Sequence, residues 1–244
     1  MLDLRAATSP EVAEALARGD AVAVLAVGAE EQHGAHLPLS TDTVMADGVA
    51  RRIAEGLGNA LLLPPVAYGD AWNNEGFAGT LSLSPDTLRA VLIDLGRGVK
   101  RLGVAALVIV NGHFGNREPI ALAARALTGE GLRVLALDYP GMERIAGAIC
   151  DSTPAAPTFY HADEVETSMM LALAPDLVRM DKAAPEYPEF PETFGMEPML
   201  LSTFNRSGVF GDPRPATAEK GEAFIAGIAA ESLGIIARFL SRPA

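Results

Sequence analysis

Three continuous apolar runs, Ala21 to Val27, Ala60 to Val66 and Val104 to Val110, alternate with helix-like segments, and this constrains the fold more than any other feature. A run with no polar face suits a strand buried on both sides. A shorter strand is expected from Arg133 to Leu137. The intervening segments carry helix signals. Ser9 reads as an N-cap with Pro10 in the first turn, and Ser84-Pro85-Asp86 repeats that signature for a helix running to Arg101. Further helices are expected at about 42–55, 119–128, 162–173 and 218–240, the last capped by Thr217. Strands alternating with helices imply a mainly parallel sheet covered on both faces. No linker or internal repeat interrupts residues 1–244, so one domain is expected.

Charge and composition narrow the function classes. With 49% hydrophobic residues and a formal charge of -12, the chain can bury a large core but lacks the clustered Lys and Arg of a nucleic-acid or anionic-membrane surface. No apolar run is read as reaching the roughly 20 residues of a membrane span. The N-terminus lacks a signal-peptide pattern, and Cys150 is the single cysteine. A cytoplasmic protein without a disulfide is expected. Cys150 has no Gly-rich elbow and no spare histidine beside it, so a nucleophilic role is not expected.

Three of the four histidines sit in two loops that directly follow apolar runs: Glu31-Gln32-His33-Gly34-Ala35-His36, with Asp42 shortly after, and Asn111-Gly112-His113-Phe114-Gly115-Asn116. Sites in open α/β sheets form at the carboxyl ends of strands. A hydrolytic divalent-metal site needs neutral imidazoles and carboxylates, and a bridging carboxylate holds two ions about 3.5–4 Å apart. Glu31 and His33 lie two apart and can face one site from an extended loop. Asp42 falls at the start of a helix, where a carboxylate is favoured electrostatically and is available to bridge. His113 arrives from a different strand.

The stretch from Glu31 to Thr43 resembles the first signature of the creatininase (creatinine amidohydrolase) family, and Asn111-Gly112-His113-Phe114-Gly115-Asn116 resembles its second. His161-Ala162-Asp163-Glu164-Val165-Glu166-Thr167-Ser168 resembles the third, and Gly79-Thr80-Leu81-Ser82 and Gly208 to Pro213 match lesser motifs. The resemblance implies a three-layer α/β/α sandwich that binds two divalent ions per subunit, zinc first and manganese or iron otherwise. It further implies hydrolysis of a C–N amide bond in a small-molecule substrate by metal-activated water, within a homo-oligomer such as a hexamer. Carried over by position, Glu31 and His113 hold one ion, His33 the other, and Asp42 bridges. His161 matches the family's catalytic histidine. His36 is assigned no metal.

Three departures qualify the resemblance, and one further segment departs from the strand–helix alternation. Creatininase itself has a glutamate where this chain has Gly115, so Glu166 is expected to complete the second metal site, with Glu164 as its rival, and creatinine is a less favoured substrate. Asp163 replaces a glycine beside His161. The loop 68–77 differs from most relatives, which often carry a histidine near Asn74. Pro185 to Glu192 repeats Pro-Glu every third residue and reads as an extended surface loop. Catalytic roles are expected for His161 and Glu166, and substrate contacts for Trp72, Asn116 and Asp163. The alternatives are a peptide-trimming metallopeptidase of cofactor maturation and a non-catalytic metal-binding protein on the same fold.

Overall fold

The computed structural model describes residues 1–242. Its centre is a five-stranded sheet in the order β1-β3-β2-β4-β5, comprising β1 (Leu2–Asp3), β2 (Val22–Val27), β3 (Ala60–Leu62), β4 (Ala106–Asn111) and β5 (Val134–Leu137). All four pairings are parallel. The two longest strands, β2 and β4, are buried at every residue, as their unbroken apolar runs require. Alternate residues of each strand enter opposite layers. Val22, Val24 and Ala26 pack with residues of α2 (Thr41–Leu57), α5 (Met142–Ile149), α6 (Glu164–Leu173) and α7 (Ala218–Leu240). Ala23, Leu25 and Val27 pack with residues of α3 (Pro85–Arg101) and α4 (Arg117–Gly129). The result is a three-layer α/β/α sandwich. A further short helix, α1 (Ser9–Leu16), buries none of its residues.

From β2 the chain crosses to β3 on one side and later returns to β4 on the other. The loops after β2 and β4 therefore diverge from neighbouring strand ends, which opens the crevice where ligands bind in such sheets. Val27 is in register with Asn111, so the two histidine-bearing loops leave the sheet at the same level.

Several boundaries differ from the sequence reading. Thr8, not Ser9, precedes the first helical turn, and its N–H and hydroxyl both donate to the Glu11 carboxylate. Strand β3 stops at Leu62 rather than Val66 because Pro64 and Pro65 carry no N–H for the ladder, although Val66 N still donates to Ala26 O. Helix α6 starts at Glu164 rather than 162 because Asp163 is its N-cap, accepting from Val165 N and Glu166 N. Strand β1 and helix α5 were not anticipated; α5 is eight residues long and follows Pro140-Gly141, which reads as a turn.

One helix among the described residues, α7, is long and apolar enough to cross a membrane, an exception to the expectation drawn from the sequence. Its Phe224, Ile225, Ile228, Ala229 and Ile236 are buried in the core against α2, α5 and α6. The Pro-Glu segment is extended, as expected, but tethered: Glu186 and Gly211 exchange both backbone hydrogen bonds. Phe190 stacks edge-on to Phe159 at the site's flank, with ring centroids 5.8 Å apart.

Candidate metal centre

Asp42 opens α2 at the bottom of the crevice and is 1% exposed. Its two oxygens face two histidines from different loops. Oδ1 lies 3.1 Å from His33 Nε2, and Oδ2 lies 3.2 Å from His113 Nδ1. Glu31 Oε1 stands 3.3 Å from His113 Nδ1, and Glu166 Oε2 stands 3.5 Å from His33 Nε2. Three sets of possible ligand atoms result, each within 4.8 Å: Glu31–Asp42–His113 and His33–Asp42–Glu166, which share Asp42, and Glu31–His33–His161.

Backbone carbonyls orient both rings. His33 Nδ1 is 3.1 Å from Glu31 O, and His113 Nε2 is 2.9 Å from Asp70 O. Donation to those carbonyls leaves the opposite nitrogen of each ring bare toward the carboxylates, the tautomer a metal ligand needs. Glu31 is held in the same way. Its Oε2 accepts from Asn74 Nδ2 at 2.8 Å, which leaves Oε1 free.

The donor set fits divalent ions. Glu31 Oε1, His33 Nε2 and Asp42 Oδ2 are buried with no hydrogen-bond partner, a costly arrangement unless a cation joins them. The charge balance points the same way. Burial opposes charging of His33, yet Asp42, Glu166 and Glu31 outweigh it and lift the imidazole to about 10. His113 is raised for the same reason against the same burial, chiefly by Glu31 and Asp42. Burial, reinforced by the carboxylates of Asp42 and Asp163, pushes Glu166 up to about 8. Buried carboxylates here demand positive charge, which protons supply when metal does not.

His161 lies beside the second set, its ring centroid 4.4 Å from that of His33. Its Nδ1 is 3.6 Å from Glu31 Oε1 and its Nε2 is 2.9 Å from Gln32 Nε2. Gln32 Oε1 accepts from Gly34 N and its Nε2 donates to Asn74 Oδ1, so its amide group faces His161 as a donor. His161 Nε2 must therefore accept, and the ring's proton sits on Nδ1. Burial, then the charge on His33, lowers this imidazole to about 4 and keeps it neutral.

The structure separates the two rival glutamates. Glu166 reaches His33, helped by Ala162, whose left-handed backbone (φ 51) lets its N–H donate to the Glu166 carboxylate. Glu164 points away and is 1% exposed. It accepts from Asp151 N, Ser152 N and Ser152 Oγ, and pairs with Lys220 of α7. Lys220→Met leaves that buried carboxylate without its cation, held only by the Asp151 and Ser152 N–H groups and the Ser152 hydroxyl. A loss of about 2–3 kcal/mol is expected, or about 5–10 °C in Tm for a chain of this size, read by thermal unfolding.

The three expected substrate contacts lie elsewhere. Trp72 sits in a short 3-10 turn, 41% exposed, and does not line the crevice. Asn116 is fully buried and spends its amide on Gly28 O and Asp70 N, which ties the loop after β4 to the 69–70 segment. Asp163 is occupied as the cap of α6, and burial lifts its carboxyl to about 7. His36 is buried against Thr167 Oγ1 at 2.9 Å and joins none of the ligand sets.

Other residues at the site escaped the sequence reading. Gln32 and Asn74 form the amide relay described above. Tyr139 lines the crevice with a buried, unpartnered hydroxyl and a left-handed backbone (φ 45), a strained conformation common at functional sites. Only the position of Gln32 inside the first motif, and the departure of Asn74 from the histidine usual in relatives, offered a signal.

A parallel α/β/α sandwich with carboxylate–imidazole sets at its switch point defines a metal-binding hydrolase class. The family profile described as creatinine amidohydrolase matches residues 5–236, and the chain belongs to the creatininase family. It is 37% identical over 210 residues to a mycofactocin precursor peptide peptidase of Mycolicibacterium smegmatis, covering 82% of this chain and 78% of that one. It is 33% identical over 225 residues to creatinine amidohydrolase of Pseudomonas putida, covering 86% of each. A crystal structure of creatinine amidohydrolase superposes with a TM-score of 0.85 at 30% identity over 99% of both chains.

Proposed function

We propose that this protein is a metal-dependent hydrolase that cleaves a C–N amide bond in a peptide-derived substrate. The observation that carries the reading is the pair of ligand sets meeting at Asp42. Glu31, Asp42 and His113 would hold one divalent ion, and His33, Asp42 and Glu166 the other. Bound there, such ions make water nucleophilic at neutral pH and polarise a carbonyl oxygen. The chain's own residues supply the rest. His161, neutral with its proton on Nδ1 toward Glu31, is placed to donate a hydrogen bond from that N–H into the site, while the proton the departing nitrogen needs would come from the attacking water. Gln32 fixes the tautomer that points this N–H inward. Tyr139 offers a free hydroxyl to the substrate carbonyl from the crevice wall.

Two observations favour a peptide-derived substrate over the small non-peptide amide expected from the sequence. The similarity to a precursor peptide peptidase reaches 37% identity. Gly115 replaces a glutamate of creatininase, and the residues around it leave no room for a side chain. The test is mass spectrometry of products from the zinc- or manganese-loaded protein, offered short peptides on one side and creatinine and formamides on the other. Peptide cleavage is the expected result. Turnover of creatinine or a formamide alone would overturn the peptide-derived assignment. No turnover of any amide by protein carrying two ions would overturn the hydrolase reading.

A further inference from the structure

We infer that the outer wall of the crevice holds a carboxylate-binding subsite built on Arg117, so that the amide cleaved here belongs to a molecule carrying a carboxylate. This rests on the hydrolase reading and adds the substrate's charge to it. Among the described residues, Arg117 is the one lysine or arginine lining a crevice that also carries the carboxylates of Glu31, Asp42, Asp138 and Glu166. A chain of net charge -12 repels anions at a distance, so a fixed cation at this mouth selects for them.

The guanidinium is held ready. Its Nε donates to Asp138 Oδ2, and its carbon lies 4.2 Å over the centre of the Phe114 ring. Asp138 is itself fixed, because its Oδ1 accepts from Asn111 Nδ2 at 2.6 Å, and that same amide nitrogen donates to His113 O at 2.8 Å. A continuous polar frame thus runs from Arg117 to the backbone of a candidate metal ligand. With Nε engaged and the plane stacked, both terminal nitrogens make no hydrogen bond within the described residues. That free edge presents two parallel N–H donors, the fork that matches a carboxylate. A phosphate dianion fits less well, because only one cation is present and Asp138 stands against it. The same crevice is also lined by Phe159, Tyr160, Met142 and Met169, which suit an aromatic or aliphatic side chain. The substrate class is an N-acyl amino acid or the C-terminal end of a short peptide.

Calorimetric titration of the zinc-loaded protein with N-acetyl-phenylalanine and with N-acetyl-phenylalaninamide tests this, since the two differ only in the carboxylate. The acid is expected to bind about tenfold or more tighter than the amide, a charge-assisted pair being lost in the latter. Arg117→Gln is expected to erase that preference while leaving zinc content unchanged. The side chain is 54% exposed, so the variant is expected to keep its melting temperature. Equal binding of acid and amide, binding of neither, or an acid preference that survives Arg117→Gln because zinc itself holds the carboxylate would each overturn the proposal. Zinc content of the same samples tests the hydrolase reading separately, and the binding comparison is read without any turnover.

Discussion

Asp42→Ala is expected to abolish metal uptake in both halves of the centre at once, whereas Glu166→Ala is expected to remove one ion of two. The asymmetry follows from position. Each Asp42 oxygen faces a different histidine, at 3.1 and 3.2 Å, so its loss leaves two donors in each set. Glu166 belongs to one set only. Since even supporting contacts to a ligand are worth about 10–100-fold in metal affinity, losing the shared carboxylate is expected to cost upwards of about 100-fold at each ion. Elemental analysis after dialysis against trace zinc reads the stoichiometry. An Asp42→Ala protein that keeps one ion at full occupancy would show that the carboxylate does not bridge.

The same charges set how uptake depends on pH. Without an ion, the carboxylates that face His33 and His113 raise both imidazoles against their burial, His33 to about 10. A raised pKa means that protons compete with metal well above pH 7. Zinc affinity is therefore expected to rise as pH increases through neutrality toward about 10 for His33, with proton release on binding. Titration in buffers of different ionisation enthalpy counts those protons.

What was legible in the sequence divides along a physical line. The strands β2 and β4 and the candidate ligands beside them could be read because each depends on local pattern: an unbroken apolar run, then a polar loop leaving its carboxyl end. Glu166 could be preferred to Glu164 only by resemblance, since on a helix the two differ by a rotation of about 200° that only packing resolves. Lys220, more than fifty residues away, decides the matter by claiming Glu164. Asn116 and Asp163 turn to backbone groups and Trp72 lies outside the crevice lining, because proximity to a motif is not orientation. Asn116 and Asp163 satisfy buried backbone groups, a demand that the sequence does not display. Arg117, Asp138 and Tyr139 went unnoticed for the converse reason, since the turn after β5 meets the loop after β4 only in the folded sheet.

Gly115→Glu is expected to damage the centre rather than restore creatininase chemistry. A Cβ at this position would lie 2.0 Å from Asp70 O and 2.7 Å from His113 Nε2, the two atoms whose 2.9 Å contact orients the histidine. The carbonyl has little freedom to withdraw. Asp70 N donates to Asn116 Oδ1, Gly69 O accepts from Leu83 N, and Gly69 itself packs too closely on Asn116 and Gly28 to shift inward. Crowding of this kind costs about 1–3 kcal/mol, or about 2–12 °C in Tm here. Loss of the carbonyl from His113 is expected to weaken zinc in the Glu31–Asp42–His113 set by about 10–100-fold. Gly115→Ala separates sterics from charge, because the clash begins at the first side-chain carbon. Both variants are therefore expected to lose zinc and stability together, with no gain of creatinine hydrolysis. An alanine variant matching the wild type in both would mean that the 69–70 segment yields, and that Gly115 marks a lost carboxylate rather than a required contact.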